Sequence, residues 1–484
     1  MSRRGFQRRF SPLRILTDEQ IEEIYQSTLR VLEETGLRIE HERALKLLKD
    51  SGCNVDFDSM RAKFPPWLVE ECLRKCPRNF RIKARNPEND VILGENTLYF
   101  GMSCGRHIVD LDTLEARPAT KKEYCDLIIA MDALDNPQIV GPYPLFGWEG
   151  LPTIMCIPEG FAARVRNTSK ILTTAHSNNC DIFNVAMAKA AGMETIVGPN
   201  PSPPLTYGEE AIEALYRAAA NDCPLRFGYT GEVMGATSPV TIAGTVVTGS
   251  ATAIAGIVLA QLVKPGIRIS VGGWAFLQNM RSGLIIFGSI EQSLFHAAHS
   301  QFWRSLRMPV NHTTGFTNSK SIDFQCAYEK ATQTLISALA GADIIQVSGA
   351  IFGELTLNPI QMILDDDICN MIGRFVEGVE VTDETLAVDL INEVGPIPGM
   401  YLDKEHTRKW WQKEQFMPKA ADRLGIPEWL AKGKKSAIDY ARERMEAILE
   451  THKPDPLTPK QEEDVDRILK ETWEYYRKRN MLEG

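Results

Sequence analysis

The sequence predicts a (β/α)8 barrel, and three observations carry that reading. Beyond Asn136, short apolar segments alternate with longer helical ones. The alternation supplies about seven strands, close to the eight a barrel needs. No glycine-rich dinucleotide turn follows any of these strands, which disfavours a doubly wound sheet. The predicted strands are 139–145, 171–174, 195–198, 225–228, 267–272, 309–313 and 343–347, with helices at 180–191, 209–220, 239–263, 291–305 and 324–340. An eighth strand is expected from the β-rich piece before them or from the stretch after Glu377. The organisation that follows is an N-terminal helical and β-rich extension (1–135), a barrel (136–400) and a C-terminal helical arm (401–484).

The extension opens with helix signals. Thr17 and Gln20 form a capping box ahead of Ile21, Ile24, Leu29, Val31 and Leu32. Pro65-Pro66 starts a further helix that stops before Pro77. Strands are expected at 80–84, 98–102 and 108–111. Thr120 and Glu123 make a second capping box, with a helix running to Ala133. The arm after Asp403 is charged and aromatic and ends in a helix of about 20 residues; it reads as an exterior arm wrapping the barrel or a second subunit, and a homo-oligomer is expected.

Composition narrows the function. Lys and Arg total 54 against 63 Asp and Glu, a net charge of −9. That balance argues against a nucleic-acid binder and against a polybasic membrane-surface protein. The fractions of 44% apolar and 24% charged residues suit a folded globule and exclude disorder or a disulfide miniprotein. The ten cysteines form no CxxC pair, so neither a zinc site nor a disulfide framework is expected, and reduced thiols in a cytoplasm fit them. The basic N-terminus has no apolar segment behind it and is not read as a secretory signal.

One stretch is anomalous: 233–263 carries no charge. With Ser238 as N-cap and Pro239 at the first helical position, it gives a helix of about 25 residues, long enough to cross a bilayer. Five hydroxylic residues and three glycines within it, and no flanking aromatic belt, favour a buried helix over a membrane span.

Standard catalytic strings (GxSxG, HExxH, a P-loop) are missing. In a barrel, the informative positions are the strand C-terminal ends. Aromatic side chains recur there: Tyr143, Trp148, Tyr229, Trp274, Phe316 and Phe352, accompanied by Glu354, Glu232, His176 and His312. Several ring faces together suit a quaternary ammonium. Glu354 and Glu232 would add negative potential, while a histidine would hold an anionic tail. For each ring, simple packing is the competing reading, and for each histidine a hydrogen-bonded structural role. Lys320 is the conventional candidate, able to form a Schiff base if desolvated, against a salt bridge to Asp323. Asp365-Asp366-Asp367 reads as a solvated helix face rather than a Mg²⁺ site, and no metal ligand set is assigned.

The chain resembles the trimethylamine methyltransferase superfamily in its form without pyrrolysine, from about residue 16 to 423. The stretches carrying the resemblance are Ser-Pro-Pro-Leu-Thr-Tyr at 202–207, Ala-Thr-Ser-Pro-Val-Thr-Ile-Ala-Gly at 236–244, and Gln-Leu-Val-Lys-Pro-Gly at 261–266. Gly-Ser-Ile-Glu at 288–291, Thr-Asn-Ser-Lys-Ser-Ile-Asp-Phe-Gln at 317–325 with Tyr-Glu-Lys at 328–330, and Ala-Gly-Ala-Asp at 340–343 extend it. The resemblance implies a barrel that moves a methyl group from a methylated amine to the cobalt of a separate corrinoid protein, with no cofactor permanently bound. Family members that use trimethylamine carry pyrrolysine, which this sequence lacks; a quaternary amine such as glycine betaine, proline betaine or carnitine is therefore favoured. Asn318, Lys320, Asp323 and Gln325 would face the corrinoid. A Schiff-base lyase or aldolase using Lys320, and a non-catalytic betaine binder, stand as alternatives.

Overall fold

The computed structural model describes residues 4–102, 105–141, 147–228, 231–347 and 349–482. Eight parallel strands close on one another: β1 (Thr97–Met102), β2 (Pro137–Val140), β3 (Ile171–Thr174), β4 (Thr195–Val197), β5 (Leu225–Gly228), β6 (Ile269–Gly273), β7 (Val310–Thr313) and β8 (Ile344–Val347). Closure is made where β8 pairs with β1, Ile344 opposite Tyr99 through Val347 opposite Met102. A helix follows each strand: α1 (Lys121–Ala133), α2 (Cys156–Asn167), α3 (Asp181–Ala190), α4 (Glu209–Ala220), α5 (Ile242–Val263), α6 (Ile290–Ser305), α7 (Phe324–Leu339) and α8 (Pro359–Val376).

The strand that completes the barrel thus comes from the β-rich piece, and a boundary at 136 would cut the barrel open between β1 and β2. All six β1 residues are buried, because helices cover its outer face and side chains fill the interior. The stretch after Glu377 supplies no barrel strand. The start of each barrel strand is plugged from below by an antiparallel hairpin, Phe80–Ile82 with Val91–Leu93. Its Ile82, Val91 and Leu93 pack against the inward Tyr99, Ile139, Ile171, Ile196 and Ile344. Arg268 fastens it by donating to the Arg81 carbonyl at 2.9 Å.

The uncharged run becomes α5, buried along most of its length. It is packed between α4 and α6 on the barrel side and the N-terminal helices Asp18–Arg30 and Pro66–Lys75 outside. A helix covered on all sides needs no polar face, which explains its uniform apolarity. Its N-cap is Thr241, three residues later than Ser238. Ser238 stays in the preceding turn, its hydroxyl 2.9 Å from that of Thr245. Gly256 is where the helix comes closest to the barrel, against Tyr207 and Phe227.

The three consecutive aspartates do not form a solvated face. Asp365, Asp366 and Asp367 are all buried in α8, each with its own partner. Asp365 pairs with Lys330 at 3.0 Å, Asp366 with Arg444 at 3.0 Å, and Asp367 accepts from the backbone of Lys419 and Ala420. Three of those four partners, Arg444, Lys419 and Ala420, belong to the C-terminal arm. Its helix Ala437–Thr451 packs on α8 and α1, and Pro459–Arg477 on α3 and α2. The nine cysteines among the described residues are free thiols.

Candidate functional site

Where the strands end, a cavity of about 420 Å³ opens at the barrel mouth. Its floor is made by side chains that alternate inward along the strands: Thr173, Arg226, Thr313 and Gln346. Arg226 donates to the Gln346 carboxamide oxygen at 3.1 Å, and Thr313 donates to the same atom at 3.4 Å. Gly101 on β1 leaves room for Gln346, whose Cγ would stand 3.5 Å from a Cβ there. A guanidinium at the bottom of a concave site is a ready partner for a carboxylate, which its planar fork meets with two parallel hydrogen bonds.

The walls are different. Trp274, immediately after β6, lines the cavity and rests edge-on against Phe276 at 5.7 Å. Its indole Nε1 is buried and has no hydrogen-bond partner among the described residues, and the same holds for Oδ1 of Asn200, which also lines the cavity. A buried donor and a buried acceptor left open in one cavity mark positions that a polar ligand would satisfy. Glu354 stands at the rim, 3.4 Å from Arg106. Cys156 also lines the cavity, and burial pushes its thiol pKa up, so it stands as a neutral thiol rather than a nucleophilic thiolate.

Of the candidates read from the sequence, Trp274 and Glu354 lie in this cavity. His176 sits beside it, between the lining residues Ala175 and Ser177, with Nδ1 3.1 Å from the Gly198 carbonyl. Trp148 lines a neighbouring hollow of about 380 Å³ that shares Arg106, Thr153 and Cys156 with the cavity. Its ring packs on Tyr124 at 5.1 Å. Tyr143 and Tyr229 lie outside the described residues. Phe316 is fully buried in a cluster with Phe276 and Phe287, behind Trp274. Phe352 is half-exposed, with the Lys320 ammonium 5.0 Å from its ring centre. Glu232 is buried in the strand Glu232–Met234 above β5.

His312 faces away from the cavity. Its neighbour Thr313 points in, so strand alternation turns His312 out toward α6. There it lies 3.2 Å from Nδ1 of His299 and stacks on His296 at 4.4 Å. Burial lowers the pKa of all three, that of His296 to about 3, and holds the group neutral. His299 and His312 fill the space left by Gly273, whose absent Cβ would meet His312 at 3.0 Å and His299 at 3.1 Å.

Lys320 is exposed and does not line the cavity, and the salt bridge to Asp323 is not formed. Its ammonium donates to the Asn318 carbonyl at 2.6 Å, while Asp323 caps α7 through the Cys326 amide. The Schiff-base reading loses its geometry. Asn318 accepts from the Phe287 amide at 2.6 Å, and Gln325 donates to Glu329 at 2.9 Å. Asn318, Lys320 and Asp323 belong to the β7–α7 connection on the mouth side of the barrel, and Gln325 to the first turn of α7.

The floor residues Arg226 and Gln346 were absent from the sequence reading. Their signal was a charged or amide side chain inside an otherwise apolar barrel strand, Leu-Arg-Phe-Gly and Ile-Ile-Gln-Val, at an inward position.

Closed strand order and a mouth cavity with a cationic floor and an aromatic wall define a (β/α)8 fold with a site for a small polar ligand. A family model for trimethylamine methyltransferase (MTTB) matches residues 1–145 and 167–475, and the chain belongs to that family. It is a methyltransferase. It is 31% identical over 477 residues to the trimethylamine methyltransferase MttB of Desulfitobacterium hafniense (strain DSM 10664 / DCB-2), covering 95% of this chain and 94% of that one. Identity to the glycine betaine methyltransferase of Desulfitobacterium hafniense (strain Y51) is 28% over 468 residues, covering 92% and 94%. The crystal structure of the Methanosarcina barkeri monomethylamine methyltransferase (MtmB) aligns with a TM-score of 0.49 at 12% identity, covering 94% of this chain and 92% of that one; the barrel stands here on its own strand order.

Proposed function

We propose that this methyltransferase moves a methyl group from a small quaternary amine of the betaine class to the Co(I) corrinoid of a cognate protein. The observation that carries the reading is the mouth cavity itself, which pairs the Trp274 ring and the Glu354 carboxylate with the Arg226 guanidinium across one small volume. The ring and carboxylate suit the ammonium end, and the guanidinium suits the acid end. The sequence contains no pyrrolysine, in keeping with a quaternary rather than a tertiary amine.

The chemistry asks little of the chain beyond positioning. Co(I) on the partner supplies the electron pair that takes the methyl, and the C–N bond breaks to release a neutral tertiary amine that needs no proton. Arg226, held by Gln346, would fix the acid end on the floor and aim one N-methyl at the opening. The neutral Cys156 thiol and the apolar ring of Trp274 keep water from competing. The free thiols suit a reducing cytoplasm. The exposed apolar residues of 379–402, Ile397 at 95% among them, suit burial against a second copy, which sedimentation would reveal.

The test is methylation of free cob(I)alamin, read by absorbance, with glycine betaine, carnitine, choline and trimethylamine as donors. A carboxylated quaternary amine should outperform choline, and Arg226→Ala should raise its KM about tenfold or more, the weight of one charge-assisted pair. No methyl transfer from any quaternary amine would refute the proposal.

A further inference from the structure

Two long polar side chains meet across the barrel to make the floor of the mouth cavity. Gln346 comes from β8, between Ile345 and Val347, which pack outward against the helices. Arg226 comes from β5, between the outward Leu225 and Phe227. Strands β6 and β7 separate β5 from β8, so the two side chains reach each other over the interior rather than along a shared edge. Glycines keep that path clear, since a Cβ at Gly272 would lie 3.6 Å from Cδ of Arg226. The layer beneath is apolar, filled by Tyr99, Ile139, Ile171, Ile196 and Ile344. The orientation of the Gln346 carboxamide is fixed by its neighbours. Its oxygen accepts from Nη1 of Arg226 at 3.1 Å and from the Thr313 hydroxyl at 3.4 Å. Exchanging the two ends of the amide would set N–H against the guanidinium N–H. The NH2 group is therefore the open end of a buried side chain, and it makes no hydrogen bond among the described residues of the cavity that it lines.

We propose that Gln346 sets the charge class of the amine: its NH2 group binds the acid end of a zwitterionic quaternary amine beside Arg226, and excludes cations of the same size that lack the acid. The proposal rests on the betaine reading and adds to it a residue that discriminates. An amide is the one side chain of this length that can accept from Arg226 and still turn N–H donors toward a ligand. Glutamate would keep the reach and the contact with Arg226, but as an ion pair, and would present acceptor oxygens alone. A carboxylate ligand would then meet like charge, while the hydroxyl of choline would find an acceptor. Methionine would keep the volume and remove both the donor and the acceptor. A site built around a hydrogen bond to one ligand end rejects the analogue lacking that end, because its buried polar groups are left open.

The experiment compares glycine betaine with choline, which share the trimethylammonium group and differ only at the other end. Their dissociation constants are measured by calorimetry on the full chain and on its Gln346→Glu and Gln346→Met variants, with methylation of free cob(I)alamin followed in parallel. The unmodified protein should bind glycine betaine at least tenfold more tightly than choline. Gln346→Met should shrink that ratio about tenfold, the weight of one hydrogen bond to a charged group, and Gln346→Glu should invert it. A residue that only props up the floor would weaken both ligands in parallel when replaced, so a parallel loss or an unmoved ratio overturns the proposal. An unmodified protein that binds the two ligands alike also overturns it. Thermal unfolding reports whether each variant folds, and Gln346→Met, which buries no new charge, decides the matter where Gln346→Glu does not fold. If the ratios move as stated while no quaternary amine methylates cob(I)alamin, the methyl-transfer reading fails and charge selection by Gln346 stands.

Discussion

Gly256→Ala decides whether α5 is pressed against the barrel or merely lies over it. Alanine in place of glycine inside an unconstrained helix stabilises by about 1 kcal/mol. Here the new methyl would lie 2.4 Å from the Tyr207 hydroxyl and 2.7 Å from two carbons of the Phe227 ring. Both rings are fully buried, and Tyr207 is tied to the same helix one turn away, its hydroxyl donating to the Thr252 carbonyl at 3.3 Å. Neither has room to retreat, so the overpacking cost of roughly 1–3 kcal/mol outweighs the propensity gain. The expected net effect is a loss of up to about 2 kcal/mol, read as a lower urea midpoint at unchanged slope. Because Phe227 adjoins Arg226 on β5, displacement of its ring should also raise KM for the amine. A midpoint that rises, with KM unmoved, would refute the close approach.

The neutral histidine group should make the fold acid-sensitive. His296, His299 and His312 have folded pKa values depressed below 6.5, so the unfolded chain takes up protons first as the pH falls. Their contribution is fully present above pH 6.5 and lost below it, about 2 kcal/mol per histidine by pH 5; urea midpoints at pH 7.5 and 5 that coincide would contradict this. Lys330→Met leaves the buried Asp365 carboxylate without its counter-charge and should cost about 3–5 kcal/mol, while Lys330→Met with Asp365→Leu should recover most of it. Thermal unfolding of the two variants checks the order. Asn200→Ala removes an open acceptor from the cavity without touching a structural bond; ligand affinity should fall with thermal stability within about 0.5 kcal/mol of the parent.

Much of the barrel was legible in the sequence because its strands are short apolar runs between helices with helical spacing. Strands 171–174 and 225–228 and helix 209–220 were read to the residue. One barrel helix escaped notice, and another was read with the wrong surroundings. In α2, Pro158 and Gly160 fall in the opening turns and disguise the pattern, although Gly160 is needed to admit Tyr124, whose hydroxyl would lie 2.5 Å from a Cβ. In α8, the three aspartates read as a polar face because their partners are far away in sequence; Lys330 precedes them and Arg444 comes from the arm. The mouth cavity was legible where an aromatic or acidic residue followed a strand, as with Trp274 and Glu354. It was illegible where a polar residue lay inside one, as with Arg226 and Gln346. His312 was misplaced by one step of alternation, which moves a side chain from the cavity to the outer helix layer.

The hairpin 80–93 that stoppers the barrel from below has a kinetic meaning. Among the described residues the chamber opens at one end, and on the proposed reaction donor and acceptor would use that doorway in turn. If the corrinoid protein covers that doorway, the amine has to be inside before it arrives, and the demethylated amine departs only after it has gone. Turnover would then follow a compulsory order through a ternary complex. The acceptor protein in excess would inhibit by shutting the amine out, an inhibition that more amine relieves.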